Sequence, residues 1–69
     1  MIELVVNGKR VELDGPTLLL DYLRDKGVDW RAIAVEHNGV ILQRDQYAGR
    51  TLREGDRLEI VRMVGGGGP

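Results

Sequence analysis

The sequence predicts an α+β domain of order ββαββ, a mixed sheet with one main helix and a flexible glycine-rich C-terminal tail. Three observations carry that expectation. Two Asn-Gly dipeptides, Asn7-Gly8 and Asn38-Gly39, each follow a short alternating apolar run. Such a pair is the strongest short hairpin signal, because both residues tolerate the positive φ of a type I′ turn. One stretch, Leu18 to Lys26, has apolar residues at helical spacing and is followed by Gly27. The chain closes on its longest alternating run, Arg57 to Val64, and then on Gly65-Gly66-Gly67-Gly68-Pro69.

The elements follow in order. Met1 to Val6 is a strand with Ile2, Leu4 and Val6 on one face. After the Asn7-Gly8 turn, Arg10 to Asp14 returns, with Val11 and Leu13 sharing a face. Asp14-Gly15-Pro16 breaks the strand, and Thr17 is placed to cap the helix Leu18–Lys26. Leu19, Leu20 and Leu23 form its apolar stripe. Gly27 sits where a left-handed C-cap is wanted, with Val28 closing it hydrophobically. Ala32 to Glu36 is the third strand, with Ile33 and Val35 inward. Val40 to Leu42 is a short extended piece, Arg44 to Gly49 a single helical turn, and Thr51-Leu52 a brief edge segment. Glu54-Gly55-Asp56 turns the chain into the last strand.

A chain of 69 residues holds one small core. The domain is expected to span residues 1–64, with 65–69 as the tail. The element order resembles the β-grasp fold of ubiquitin. By that analogy the last strand pairs in parallel with the first at the sheet centre; periodicity alone does not say so.

Composition narrows the function classes. There is no cysteine and only one histidine, so neither a disulfide nor a thiolate metal site staples the fold. Ten basic residues are interspersed with eleven acidic ones, which leaves no basic stripe for a phosphate backbone. Trp30, Tyr22 and Tyr47 are too few to stack bases. No apolar run reaches membrane-spanning length and no signal-peptide pattern is visible. The expectation is a cytoplasmic protein that binds neither nucleic acid nor membrane.

Leu58 and Ile60 are expected to face the helix. Val61 and Met63 then face solvent together with Val5, and with Val64 they make a candidate partner-docking patch. Beyond them, Gly65 and Gly66 begin a backbone without side chains. Fully extended, the last five residues reach about 17 Å. Such a leash threads a channel too narrow for side chains and delivers a terminal carboxylate into another protein's active site. That carboxylate is ionised at neutral pH and is a poor electrophile. Adenylation by ATP makes it an acyl phosphate, from which a sulfur nucleophile displaces AMP to leave a thiocarboxylate. The chain has no Walker lysine motif, metal-ligand cluster or nucleophile–base pair for these steps. No helix follows the polyglycine, so it is no phosphate loop. The chain is therefore read as a carrier and not an enzyme, with no catalytic residue and no bound metal.

Other residues read as structural. His37 is expected at the surface at a strand end, with no partner carboxylate set by spacing. Trp30 covers the corner between helix and strand. Asp21 and Asp25 lie on a solvated helix face. Lys9 and Lys26 are the only lysines, and nothing favours conjugation through them.

Two segments resemble a known family. Ala34 to Arg44, AVEHNGVILQR, is similar to the AVE-x-NG-x-I-V-P-R segment of the thiamine-biosynthesis sulfur carriers, the ThiS family. Glu54 to Gly67, EGDRLEIVRMVGGG, is similar to that family's EGD-x-LEIV-x-x-VGGG ending. Asn7-Gly8 and Thr17 match its early turn and helix start. The resemblance implies a β-grasp fold. It implies adenylation by an E1-like, ThiF-type adenylyltransferase using ATP and magnesium, with sulfur supplied through a cysteine desulfurase. It implies transfer of that sulfur into the thiazole ring on a ThiG-type thiazole synthase. Two positions depart from the pattern. Gln43 stands where the family usually has proline, which should affect only a loop. The family register puts the reactive terminus at Gly67, so Gly68 and Pro69 are extra. Removal of Pro69 by a peptidase would leave Gly68 as the reactive terminus, and removal of Gly68-Pro69 would leave Gly67. The EGD-strand-glycine ending also occurs in molybdopterin-synthase small subunits. Carriage of sulfur to molybdopterin, cysteine or tRNA, or ubiquitin-like conjugation, therefore stays open at this point.

Overall fold

The computed structural model describes residues 1–63, so Val64, Gly65, Gly66, Gly67, Gly68 and Pro69 lie outside the described residues. Strands β1 (Ile2–Val6) and β2 (Lys9–Leu13) form the first hairpin. β3 (Thr17–Leu18) precedes helix α1 (Leu19–Asp25), and β4 (Ile33–His37) and β5 (Val40–Ile41) form a second hairpin. β6 (Thr51–Leu52) and β7 (Arg57–Arg62) complete the set. The main sheet has the order β2-β1-β7-β4-β5, and β3 pairs with β6 in a separate two-stranded sheet. β7 lies parallel to β1 and antiparallel to β4. This is the β-grasp arrangement, with the expected parallel pair at the centre.

Both hairpin turns use the predicted dipeptides. Asn7 and Asn38 have φ near 51° and 52°, and Gly8 and Gly39 near 81° and 86°, the two positive values that a type I′ turn requires. Each asparagine also grips the central strand. The Asn7 side chain accepts from the Ile60 N–H at 2.7 Å and donates to the Ile60 carbonyl at 3.2 Å. The Asn38 Oδ1 accepts from the Arg57 N–H at 2.8 Å. β7 is thus held from both sides by side chains of the turns that build its neighbours.

The helix buries Leu19, Tyr22 and Leu23 against Leu4, Val35, Leu52 and Leu58. The i, i+3, i+4 spacing makes Tyr22 the third core residue. Leu20, expected on the apolar stripe, is only partly buried at the edge of the core. The helix C-terminus follows the expected motif in full. Gly27 has φ +72°; its N–H donates to the Arg24 carbonyl and the Val28 N–H to the Leu23 carbonyl, while Val28 packs on the core. This is the paired hydrogen bonding of a Schellman cap. Gly27→Ala meets no neighbouring atom, so its expected cost is backbone strain alone, about 1 kcal/mol, measurable by urea unfolding.

The helix start differs from expectation. Thr17 is not the N-cap. It lies in β3, and its hydroxyl donates to the Gly15 carbonyl at 2.8 Å. Leu18 occupies the cap position without a side-chain bond. The physical reason is tertiary: the Leu19 N–H donates to the Arg50 carbonyl at 2.9 Å, so the β3–β6 contact satisfies a donor that a cap would otherwise serve. The helical segment after Arg44 is a short 3₁₀ turn, Arg44–Gln46. The Gln43 N–H donates there to Gln46 Oε1 at 2.7 Å. A proline at 43 would lose that exposed bond, while the φ of −78° already suits one. Trp30 covers the corner as expected, edge-on to buried Tyr47 at 6.1 Å between ring centroids.

Candidate functional site

The candidate site is the exit of β7 and the sheet face beside it. Alternation along β7 sends Leu58 inward, fully buried, with Ile60 half-buried on the same side. The opposite face carries Glu59 and Val61, and Val61 is 60% exposed. Beyond the strand, the Met63 N–H donates to the Ala32 carbonyl at 2.9 Å, which holds the chain to the sheet up to the last described residue.

The predicted patch is only partly assembled. Val61 and Met63 stand exposed near the strand exit. Val5 is half-buried and lies opposite Arg57, four residues before Val61, hence about 13 Å away along the strand. Val64 lies outside the described residues, as do Gly65, Gly66, Gly67, Gly68 and Pro69. In place of Val5, the structure sets Ala34 opposite Val61, and Ile41 opposite Glu36. Together Ala34, Ile41 and Val61 line a shallow groove on the outer face with Glu36 and Glu59. Sequence reading missed Ile41. The signal was its position between two other apolar residues: burial of Leu42 sends Ile41 outward.

Behind the site lies a polar tie. His37 is buried, not at the surface, and its Nε2 lies 2.8 Å from Asp56 Oδ2. Its parity with Ile33 and Val35 carries it inward, and the chain turn at residues 54–56 brings the carboxylate to it. The same Asp56 Oδ2 accepts from the Arg53 N–H at 2.9 Å, and Oδ1 accepts from Asn38 Nδ2 at 3.1 Å. With the carboxylate accepting, Nε2 carries the hydrogen, and His37 Nδ1 has no partner among the described residues. The turn is also pinned to β1. The Glu3 N–H donates to Glu54 Oε1, the Gly55 N–H to the Glu3 carbonyl, and the Val5 N–H to the Asp56 carbonyl, all within 2.9 Å. The Asn38-Gly39 and Glu54-Gly55-Asp56 segments are therefore one network that fixes where β7 begins.

Burial by itself would raise the Asp56 carboxyl pKa. Hydrogen bonds from His37, Asn38 and the Arg53 N–H outweigh it and hold the group below the usual carboxylate value. A carboxyl depressed on folding stabilises the native state above its unfolded pKa of about 3.9, and the contribution is lost as pH falls through the folded value. Thermal melts should therefore fall more steeply below about pH 4 for the wild type than for Asp56→Asn. Parallel profiles would show that the network does not hold the proton off.

Among the described residues, no three His, Asp or Glu side chains gather as a metal cluster. No helix among them is long and apolar enough to cross a membrane.

Comparison with known proteins places the whole chain. A family model described as the ThiS family matches residues 4–67. A thiazole synthase of Paramagnetospirillum magneticum is 38% identical over 66 residues, which is 96% of this chain and 20% of the relative. A thiazole synthase of Magnetococcus marinus is 32% identical over 62 residues, 90% of this chain and 19% of the relative. The chain thus spans about a fifth of the length of these curated relatives. The crystal structure of thiamine biosynthesis protein ThiS from Geobacter metallireducens superposes with a TM-score of 0.82 at 32% identity, covering 96% of this chain and 100% of that one. A solution structure of a thiamine biosynthesis protein from the same organism gives 0.76 at 31% identity, covering 99% and 91%.

Proposed function

The chain belongs to the ThiS family, and on that premise we propose that it is the sulfur carrier for thiazole formation in thiamine biosynthesis. The observation that carries the reading is the family match, which runs through the fold and into the glycine run as far as Gly67. In this role the folded body presents a backbone carboxylate and partner enzymes act on it.

The terminal carboxylate attacks the α-phosphate of ATP on a ThiF-type adenylyltransferase. Acyl-AMP forms and magnesium pyrophosphate leaves. A persulfide sulfur derived from a cysteine desulfurase then attacks the acyl carbon and expels AMP. Cleavage of the sulfur–sulfur bond by a thiol leaves the thiocarboxylate. A ThiG-type thiazole synthase is the acceptor. Support for that destination comes from the two relatives named thiazole synthase, each of which holds a segment like this chain within one longer polypeptide. The folded body suits this division of labour: it contributes the central strand β7, held on both sides, as a rigid base from which the tail is offered.

The end of the family match supports Gly67 as the reacting residue, and we place removal of Gly68-Pro69 by a peptidase before adenylation. Gly65 and Gly66 then occupy the enzyme's channel. The test is incubation of the chain with ATP, magnesium, the adenylyltransferase and a desulfurase with cysteine, followed by intact mass. The expected product ends at Gly67 and carries one sulfur in place of one oxygen. A product that retains Pro69 and still carries sulfur would overturn the trimming step. Absence of any ATP–pyrophosphate exchange would overturn the carrier role.

A further inference from the structure

The outer sheet face carries an arrangement that presentation of a tail does not require. Glu36 on β4 and Glu59 on β7 are direct cross-strand partners. Both are half-buried, and neither makes an ion pair or side-chain hydrogen bond among the described residues. Residues 64–69 contain no basic side chain that could serve them. Facing like charges weaken a sheet. These two also stand in the groove formed with Ala34, Ile41 and Val61, where any covering surface would strip water from them. An occupant that is apolar alone would bury two unpaired carboxylates, which costs far more than the apolar contact returns.

We propose that this face docks the adenylating enzyme through one arginine or lysine set between Glu36 and Glu59, with apolar side chains around it covering Ala34, Ile41 and Val61. The inference rests on the carrier reading above. Two features select this occupant. The charge of the face calls for a cation ringed by apolar surface, and a guanidinium can bond both carboxylates from one planar group. The position of the face calls for an enzyme that takes the tail, and the adenylating enzyme is the first to do so, before the terminus carries sulfur. Val61 lies six residues before Gly67, at most about 22 Å of extended chain, so the groove is within reach of an enzyme that holds the Gly67 carboxylate. The glutamate pair then acts as a specificity element, without a side-chain partner among the described residues and satisfied in the complex.

The test is titration of the purified adenylyltransferase with the full chain, at low and high salt, for the wild type, Glu36→Gln/Glu59→Gln and Ile41→Ser. The wild type should bind with a clear salt dependence. The double variant should melt no lower than the wild type, bind at least about tenfold more weakly and lose most of the salt dependence. Ile41→Ser should weaken binding while leaving the salt dependence in place. Salt-independent wild-type binding, or unchanged affinity in the double variant, overturns the proposal. So does a loss seen only with thiazole synthase, or a double variant that melts lower. The carrier reading is tested separately: if the wild type gains its thiocarboxylate while the double variant binds and is adenylated equally well, only the docking inference falls. If no thiocarboxylate forms, both fall.

Discussion

Asp56→Ala is expected to cost about 3 kcal/mol of folding stability, a large part of the margin of a chain this small. The carboxylate is 14% exposed and meets the buried His37 ring at 2.8 Å. Its removal strands the buried His37 Nε2–H, while the exposed Arg53 N–H and Asn38 amide lose their shared acceptor and turn to water. An unmade bond to a buried donor costs more than a made one contributes, so the loss should exceed that of His37→Leu, which removes the ring and its unpaired Nδ1 together. A double-mutant cycle on the two positions should show coupling of about 1 kcal/mol or more. Urea unfolding at neutral pH provides the measurement. A loss below about 1 kcal/mol for Asp56→Ala would mean that water replaces the network at little cost.

How much of this was readable beforehand depended on whether a feature is local. The hairpin turns, the C-cap at Gly27 and the parity of Leu58 against Val61 follow from residues within a few positions of each other. They were legible for that reason. The failures share the opposite character. Thr17 looked like a cap because local chemistry allows it; the donor it would have served is taken by the Arg50 carbonyl, a partner 31 residues away from Leu19. His37 looked like a surface residue because its carboxylate partner lies 19 residues on. Its own parity with Val35 pointed inward all the same. The patch was half legible. Alternation picked Val61 and Met63, but neighbours on the same face depend on strand order and register. The parallel offset that sets Val5 opposite Arg57, and the β4–β7 register that sets Ala34 opposite Val61, are tertiary facts. The family motifs held more structural information than their role as signatures suggests, since their Asn38 and Asp56 are hydrogen-bonded to each other.

The largest functional effect is expected from the tail. Under the proposed role, Gly66→Leu should reduce thiocarboxylate formation by about a hundredfold or more, while folding stability stays within the range of a surface substitution, about 0.5 kcal/mol. The core residues described above all precede residue 64, so the body that docks is unchanged. What changes is the width of the chain one residue before the reacting carboxyl. A channel shaped for bare backbone must then either exclude the leucine or hold the carboxylate away from the α-phosphate, and a misplacement of about 1 Å suffices for a loss of this size. Binding and chemistry should therefore separate: affinity for the adenylyltransferase should fall far less than the rate of ATP–pyrophosphate exchange. A chain cut to end at Gly67 should react at least as fast as the full-length chain, because no peptidase is then needed. Undiminished sulfur transfer by Gly66→Leu would mean that the tail is not threaded as bare backbone. The body, and not the leash, would then have to carry the specificity.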